Sequence, residues 1–142
     1  MTKNINGKKG KRIRIVISCF LLAILLIIGI FFAFIFSGKS KALNLEIEAI
    51  NIQEVPDGTY TSNYSGFRWS NTVEVTVTNH QITDIQIIKP QVFAKEETMN
   101  ILIGKLQSEK NLEVDAVTGA TADSKAFLAA VENALKKALL TD

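Results

Sequence analysis

Thr72-Val73-Glu74-Val75-Thr76-Val77-Thr78-Asn79-His80-Gln81-Ile82-Thr83-Asp84-Ile85-Gln86-Ile87-Ile88 decides the fold. Val73, Val75 and Val77 alternate with Glu74, Thr76 and Thr78, the pattern of a strand with one buried and one solvated face. Asn79-His80 is a turn pair, and the alternation resumes through Ile82, Ile85 and Ile87, so an antiparallel hairpin is predicted. Upstream, Pro56-Asp57-Gly58 is a turn and Thr59–Tyr64 a short strand rich in Thr and Tyr, closed by Ser65-Gly66. Downstream, Lys89-Pro90 ends the sheet segment. Met99, Leu102, Ile103 and Leu106 then recur at helical spacing between Glu96 and Gln107. Asn111–Val114 is expected to be extended. From Ser124 to Leu140 the apolar positions Phe127, Val131, Leu135 and Leu139 lie four apart, the signature of an amphipathic helix. The expected class is α+β: a small antiparallel sheet with two packed helices, without internal repeats.

The 142 residues divide into unlike parts. Ile15–Phe36 is a run of about 22 residues without a charge, enough to cross the roughly 30 Å hydrocarbon core of a bilayer once. It accounts for much of the 47% hydrophobic content. Lys3, Lys8, Lys9, Lys11, Arg12 and Arg14 all precede it, so the net charge of +2 conceals a slightly acidic remainder, which argues against nucleic acid as a partner. The expected organisation is a basic cytoplasmic tail (1–14), a transmembrane helix (15–36), a linker (37–53) and an extracytoplasmic domain (54–142). The basic flank orients the span by the positive-inside rule and can touch anionic membrane lipid. A cleaved signal peptide is the competing reading. Its apolar region is usually only about 7 to 15 residues, and no small-x-small site follows at Phe36-Ser37-Gly38-Lys39. Leu43, Leu45 and Ile47 suit a strand, whereas Leu43, Ile47 and Ile50 suit a helix, so the linker's structure stays open. Cys19, the single cysteine, lies within the apolar run and leaves the domain without a disulfide.

Asp115-Ala116-Val117-Thr118-Gly119-Ala120-Thr121 is a run of small and hydroxylated residues that feeds the last helix. A helix N-terminus offers unpaired N–H groups and the positive end of the macrodipole, which together suit a phosphate. Gly119 permits backbone conformations closed to other residues, Ala120 keeps bulk away, and Thr118, Thr121 and Ser124 add hydroxyls. On spacing alone an ordinary cap and turn is the preferred reading of the run.

This run resembles the Asp-x-x-(Ser/Thr)-Gly-Ala-(Thr/Ser) signature of the FMN-binding domain family, found in the peripheral flavoprotein subunits of the Rnf complex and of the sodium-pumping NADH:quinone reductase, and in small surface electron carriers. Asp57-Gly58-Thr59-Tyr60, Val73–Val77 and Ile82–Ile85 match the family's usual order, so the resemblance spans roughly residues 54 to 140. It implies FMN as the cofactor, joined through its phosphate to Thr121 by a flavin transferase. It also implies phosphate contacts from Thr118, Gly119 and Ala120, and a role for Asp115 in presenting the run to the transferase. Many relatives continue after the hairpin with a stretch containing His and Glu. This chain has Lys89-Pro90-Gln91-Val92-Phe93-Ala94-Lys95-Glu96-Glu97, so ring contacts do not transfer.

Tyr64, Phe67, Trp69 and Phe93 are stacking candidates, although aromatics in a small domain are more often core. His80 is the single histidine and falls in a turn, where a solvated side chain is expected. Glu96 and Glu97 suit the positive end of the middle helix. No acid, base or nucleophile is arranged for catalysis and no ligand cluster for a metal, so the expected catalytic and metal sites are none. The resemblance and the anchor point to an electron carrier at the outer membrane face, fed by a membrane reductase or quinol donor. A flavin-dependent reductase of a small acceptor and a flavin-free binding or sensor module of the same fold are the alternatives.

Overall fold

The structure is a computed structural model that describes residues 6–109, 112 and 114–140. It divides into two compact units, Met1–Phe36 and Ser37–Asp142.

The first unit is one helix, α1 (Asn6–Phe36, 31 residues). Its apolar stretch reaches a mean hydropathy of 3.2, and none of that stretch is buried within the protein. The helix is long and apolar enough to cross a membrane. It begins ahead of Ile15 and so takes in part of the basic segment assigned to the tail.

In the second unit a three-stranded antiparallel sheet has the order β1 (Gly58–Tyr64), β2 (Asn71–Thr78), β3 (Gln81–Lys89). The central strand alternates as expected, with Val73, Val75 and Val77 each at most 1% exposed. Pairing skips Thr83 and Ile88 on β3, and these irregularities keep Ile82, Ile85 and Ile87 facing the same side despite unequal spacing. Asn79 and His80 both adopt left-handed backbone (φ 53° and 56°), the geometry whose twist matches that of a two-residue hairpin.

Three helices accompany the sheet: α2 (Lys39–Leu43), α3 (Glu96–Ser108) and α4 (Thr121–Leu139). The long α4 packs on β1 and β2, and α3 packs on β3. Phe127, Val131 and Leu135 of α4 are buried, but Leu139 is 40% exposed. Four-residue steps drift by about 40° per step around a helix of 3.6 residues per turn, so by the third step, at Leu139, Ala138 has taken the inward position. Each large apolar side chain buried this way contributes about 1.5 to 3 kcal/mol.

Segment 37–53, expected as a linker, packs into this domain. It holds α2, an extended stretch and a single 3-10 turn at Ile52–Glu54, and Ala42 and Ile52 are fully buried while Leu45 and Ile47 pack against the core. The Lys125 ammonium of α4 donates to the carbonyls of Leu43 (2.9 Å) and Leu45 (2.8 Å), tying the segment down. Half of the expected extended stretch 111–114, Asn111 and Glu113, lies outside the described residues. Within it, Leu112 is buried and its N–H donates to Ile50 O at 3.0 Å.

Candidate functional site

The loop before α4 is built by its own small residues. Ala120 N–H donates to Val117 O (3.0 Å), closing a four-residue turn whose third residue, Gly119, has φ 81°. A Cβ on Gly119 would meet nothing within 4 Å, so glycine is required there by the backbone angle, not by space. Ser124, fully buried, accepts from Val117 N–H through Oγ at 3.1 Å and so fastens the loop onto the first turn of the helix. With that hydroxyl committed inside the helix, α4 begins at Thr121, three residues ahead of the expected start. The cap position falls to Ala120, which has no acceptor, and the helix start receives no side-chain cap. Its first N–H groups are therefore available to an anion. Thr121 itself is exposed.

A cleft of about 400 Å³ opens beside this helix start, lined on one side by Gly119–Asp123 and on the other by Lys39, Leu43, Arg68 and Trp69. Arg68 and Trp69 come from a single 3-10 turn, Phe67–Trp69, between β1 and β2. The Asn71 side chain clamps that turn to the helix, donating to Trp69 O (3.1 Å) and to Ala126 O (2.9 Å). The Arg68 guanidinium lies 3.9 Å from the centre of the Trp69 ring and 3.6 Å from Asp123 Oδ1, a long ion pair. It also donates to Val92 O at 3.1 Å, while Gln91, 5% exposed, donates from Nε2 to Asp123 O at 2.8 Å. Two buried polar atoms at the cleft, Trp69 Nε1 and Asp123 Oδ1, have no hydrogen-bond partner. A buried donor left this way is costly unless a ligand satisfies it.

The structure brings Gly119, Ala120 and Thr121 together at this cleft. Thr118 is exposed on the turn. Asp115 borders a separate hollow with Glu46, Ile47 and Lys125. Of the four aromatic candidates, Tyr64 and Trp69 are buried (7% and 1% exposed), whereas Phe67 and Phe93 are 61% and 68% exposed. Burial pushes the Tyr64 phenol above its ordinary range. A larger hollow of about 460 Å³ between β3 and α3 is lined by Ile85, Met99 and Ile103 and contains none of the motif residues. His80 is exposed in its turn, and Glu96 and Glu97 occupy the first turn of α3. Lys39, Arg68 and Gln91 were not singled out from the sequence. No local pattern marks them, because each reaches the motif only through long-range packing.

A family model described as the FMN-binding domain matches residues 66–136, half of the chain. The chain belongs to the FMN-binding domain family. FMN is its cofactor. The matched segment carries Arg68 and Trp69 from one wall of the cleft and the whole Gly119–Asp123 wall, while Lys39 and Leu43 lie ahead of it. The site suits FMN chemically: an uncapped helix start with Arg68 and Lys39 nearby complements a phosphate, and the unpaired Trp69 N–H complements an acceptor. No curated protein matches the chain.

Proposed function

We propose that this FMN-binding domain carries FMN as a phosphoester on Thr121 and relays electrons at the outer face of a membrane. The observation that carries the reading is the exposed Thr121 hydroxyl on the first turn of a helix whose N–H groups no side chain caps, facing a cleft with two cations. In the attachment step a flavin transferase supplies an activated flavin phosphate. Thr121 Oγ1 would bond to phosphorus as the P–O bond to the donor's leaving group breaks, and the departing oxygen would take up the hydroxyl's proton. The helix dipole, the first N–H groups of α4 and Arg68 then neutralise the phosphate. Thr118 and Asp115, exposed outside the cleft, are left to meet the transferase.

A phosphoester leaves the flavin ring unchanged, so the cofactor supplies the electron chemistry and the protein holds and orients it. The exposed apolar α1, behind a basic flank, supports a single-pass anchor in contact with membrane lipid, with the N-terminus cytoplasmic and the domain outside. A membrane reductase or quinol is then the natural donor, and a second carrier or an extracellular compound the acceptor.

Intact mass, measured on the chain co-expressed with a flavin transferase, tests the attachment. A gain equal to FMN less water, absent in Thr121→Ala, is expected. No gain in the natural sequence overturns the covalent reading and leaves reversible binding.

A further inference from the structure

Phe67 and Phe93 share two properties that do not serve folding. Both are non-glycine residues in left-handed backbone (φ 51° and 63°), a conformation that a bulky side chain adopts only at a cost. Both also leave most of their ring in water, at 61% and 68% exposed, so burial does not offset the strain.

The backbone around them is nevertheless firmly held. Trp69 N–H donates to Gly66 O (3.0 Å) and Ser70 Oγ donates to Phe67 O (2.8 Å), which fixes the first turn. Val92 N–H donates to Arg68 O (2.9 Å) and Arg68 Nη1 donates to Val92 O, which joins the two segments to each other.

Neither ring lines the cleft itself, but both belong to segments that adjoin its wall. Phe67 directly precedes Arg68, which lines it with Thr121, and Phe93 follows Val92, the partner of Arg68. Gln91 of the same segment holds Asp123, another lining residue. A Cβ on Gly38 would lie 2.9 Å from Phe67 Cδ2, so one edge of the ring is backed by main chain while most of the side chain stays open.

We propose that Phe67 and Phe93 form an aromatic rim that receives the isoalloxazine ring of the flavin, a proposal that rests on FMN being bound by its phosphate at Thr121. The ribityl chain carries the ring away from the helix start, and beyond the lining the exposed aromatic side chains on the adjoining segments are Phe67 and Phe93. A planar, electron-poor ring system stacks on phenyl faces, and the left-handed backbone is what turns them outward. The strain is stored in the protein and offset when the ring covers them.

The test uses Phe67→Gly/Phe93→Gly in the full chain, co-expressed with a flavin transferase. Glycine is at ease at positive φ, so the substitution removes the rings and relaxes the backbone together. Three quantities are read: the intact mass, the melting temperature of flavin-free protein, and the visible circular dichroism of the flavin, which reports a ring held on a chiral surface. The expected result is an unchanged mass gain, an equal or higher melting temperature and a dichroism amplitude reduced by about half or more.

Retention of the full amplitude with the mass gain intact overturns the rim and leaves the Thr121 attachment standing. No flavin on the natural sequence, covalent or free, overturns both. Should the double variant not fold, Phe67→Leu and Phe93→Leu keep an apolar side chain without an aromatic face, and the same loss or retention of dichroism decides.

Discussion

The two turns that close the domain's main elements solve the same problem in opposite ways. At the hairpin, left-handed Asn79 and His80 turn their N–H groups outward, and Asp57 accepts both through its carboxylate, at 2.9 and 3.0 Å. His80 Nδ1 lies 3.2 Å from Val55 O, so that turn is closed by the chain itself. At the start of α4, left-handed Gly119 also turns the chain, but the next residue is Ala120 and the helix N–H groups receive no side chain. The first turn of α4 carries Asp123, but that carboxylate pairs with Arg68 and caps no N–H, so the helix start keeps the unpaired donors that the proposed phosphate site requires. Both loops carry turn chemistry, and only the uncapped one borders the cleft with Arg68 and Trp69.

The sharpest way to break this contrast is at Thr121. Thr121→Ala should remove the flavin mass gain completely, yet shift chemical-denaturation stability by no more than about 0.5 kcal/mol, because the side chain is exposed and caps nothing. A residual adduct would place the linkage elsewhere. Next in size is Gly119→Ala. The added methyl has open space but must adopt φ 81°, so a loss of about 1 to 2 kcal/mol is expected in the same assay, with slower flavin loading. A neutral result would mean that the turn relaxes at little cost.

These effects also show what the sequence disclosed. The hairpin and both long helices were legible because their periodicities are local and strong. The motif's place before a helix was legible too, although its start was read at Ser124. The three-residue difference arises because the Ser124 hydroxyl, the natural cap by residue type, is spent inside the helix on Val117 N–H. The opposite wall of the cleft was illegible: Gln91 meets Asp123 across 32 residues, and nothing near Arg68 announces its neighbours. Segment 37–53 supported two periodicities at once. What decides its place is the Lys125 ammonium reaching back about 80 residues to its carbonyls, a contact invisible to any local pattern.

Converting one turn into the likeness of the other sharpens the comparison. Ala120→Asp supplies the missing acceptor and a negative charge at the positive end of α4. Side-chain caps are worth about 0.5 to 2 kcal/mol. Ala120 has φ −132° and ψ 31°, away from the usual capping geometry, so a gain near the low end, about 0.5 kcal/mol, is expected in flavin-free protein. The same carboxylate would compete with phosphate, and flavin loading, read by intact mass, should fall. Greater stability with undiminished loading would show that the helix start is not where the phosphate rests.

The smallest effect belongs to the hairpin. The N–H groups of His80 and then Asn79 hold the Asp57 carboxyl below its ordinary value of 3.8. A group whose folded pKa is depressed adds stability that is fully present above its unfolded pKa and is lost as pH falls through the folded one. The contribution of Asp57 should therefore be intact at neutral pH and fade only below about pH 4. Asp57→Asn keeps the shape but weakens both acceptors, so it should lower the melting temperature slightly at pH 7 and flatten the acid limb of the stability curve. Because this turn lies outside the cleft lining, flavin loading should not change in that variant. A loading defect in Asp57→Asn would mean that the two turns are coupled through β1 and β2, and the division between a turn closed by the chain and one left open to a ligand would no longer hold.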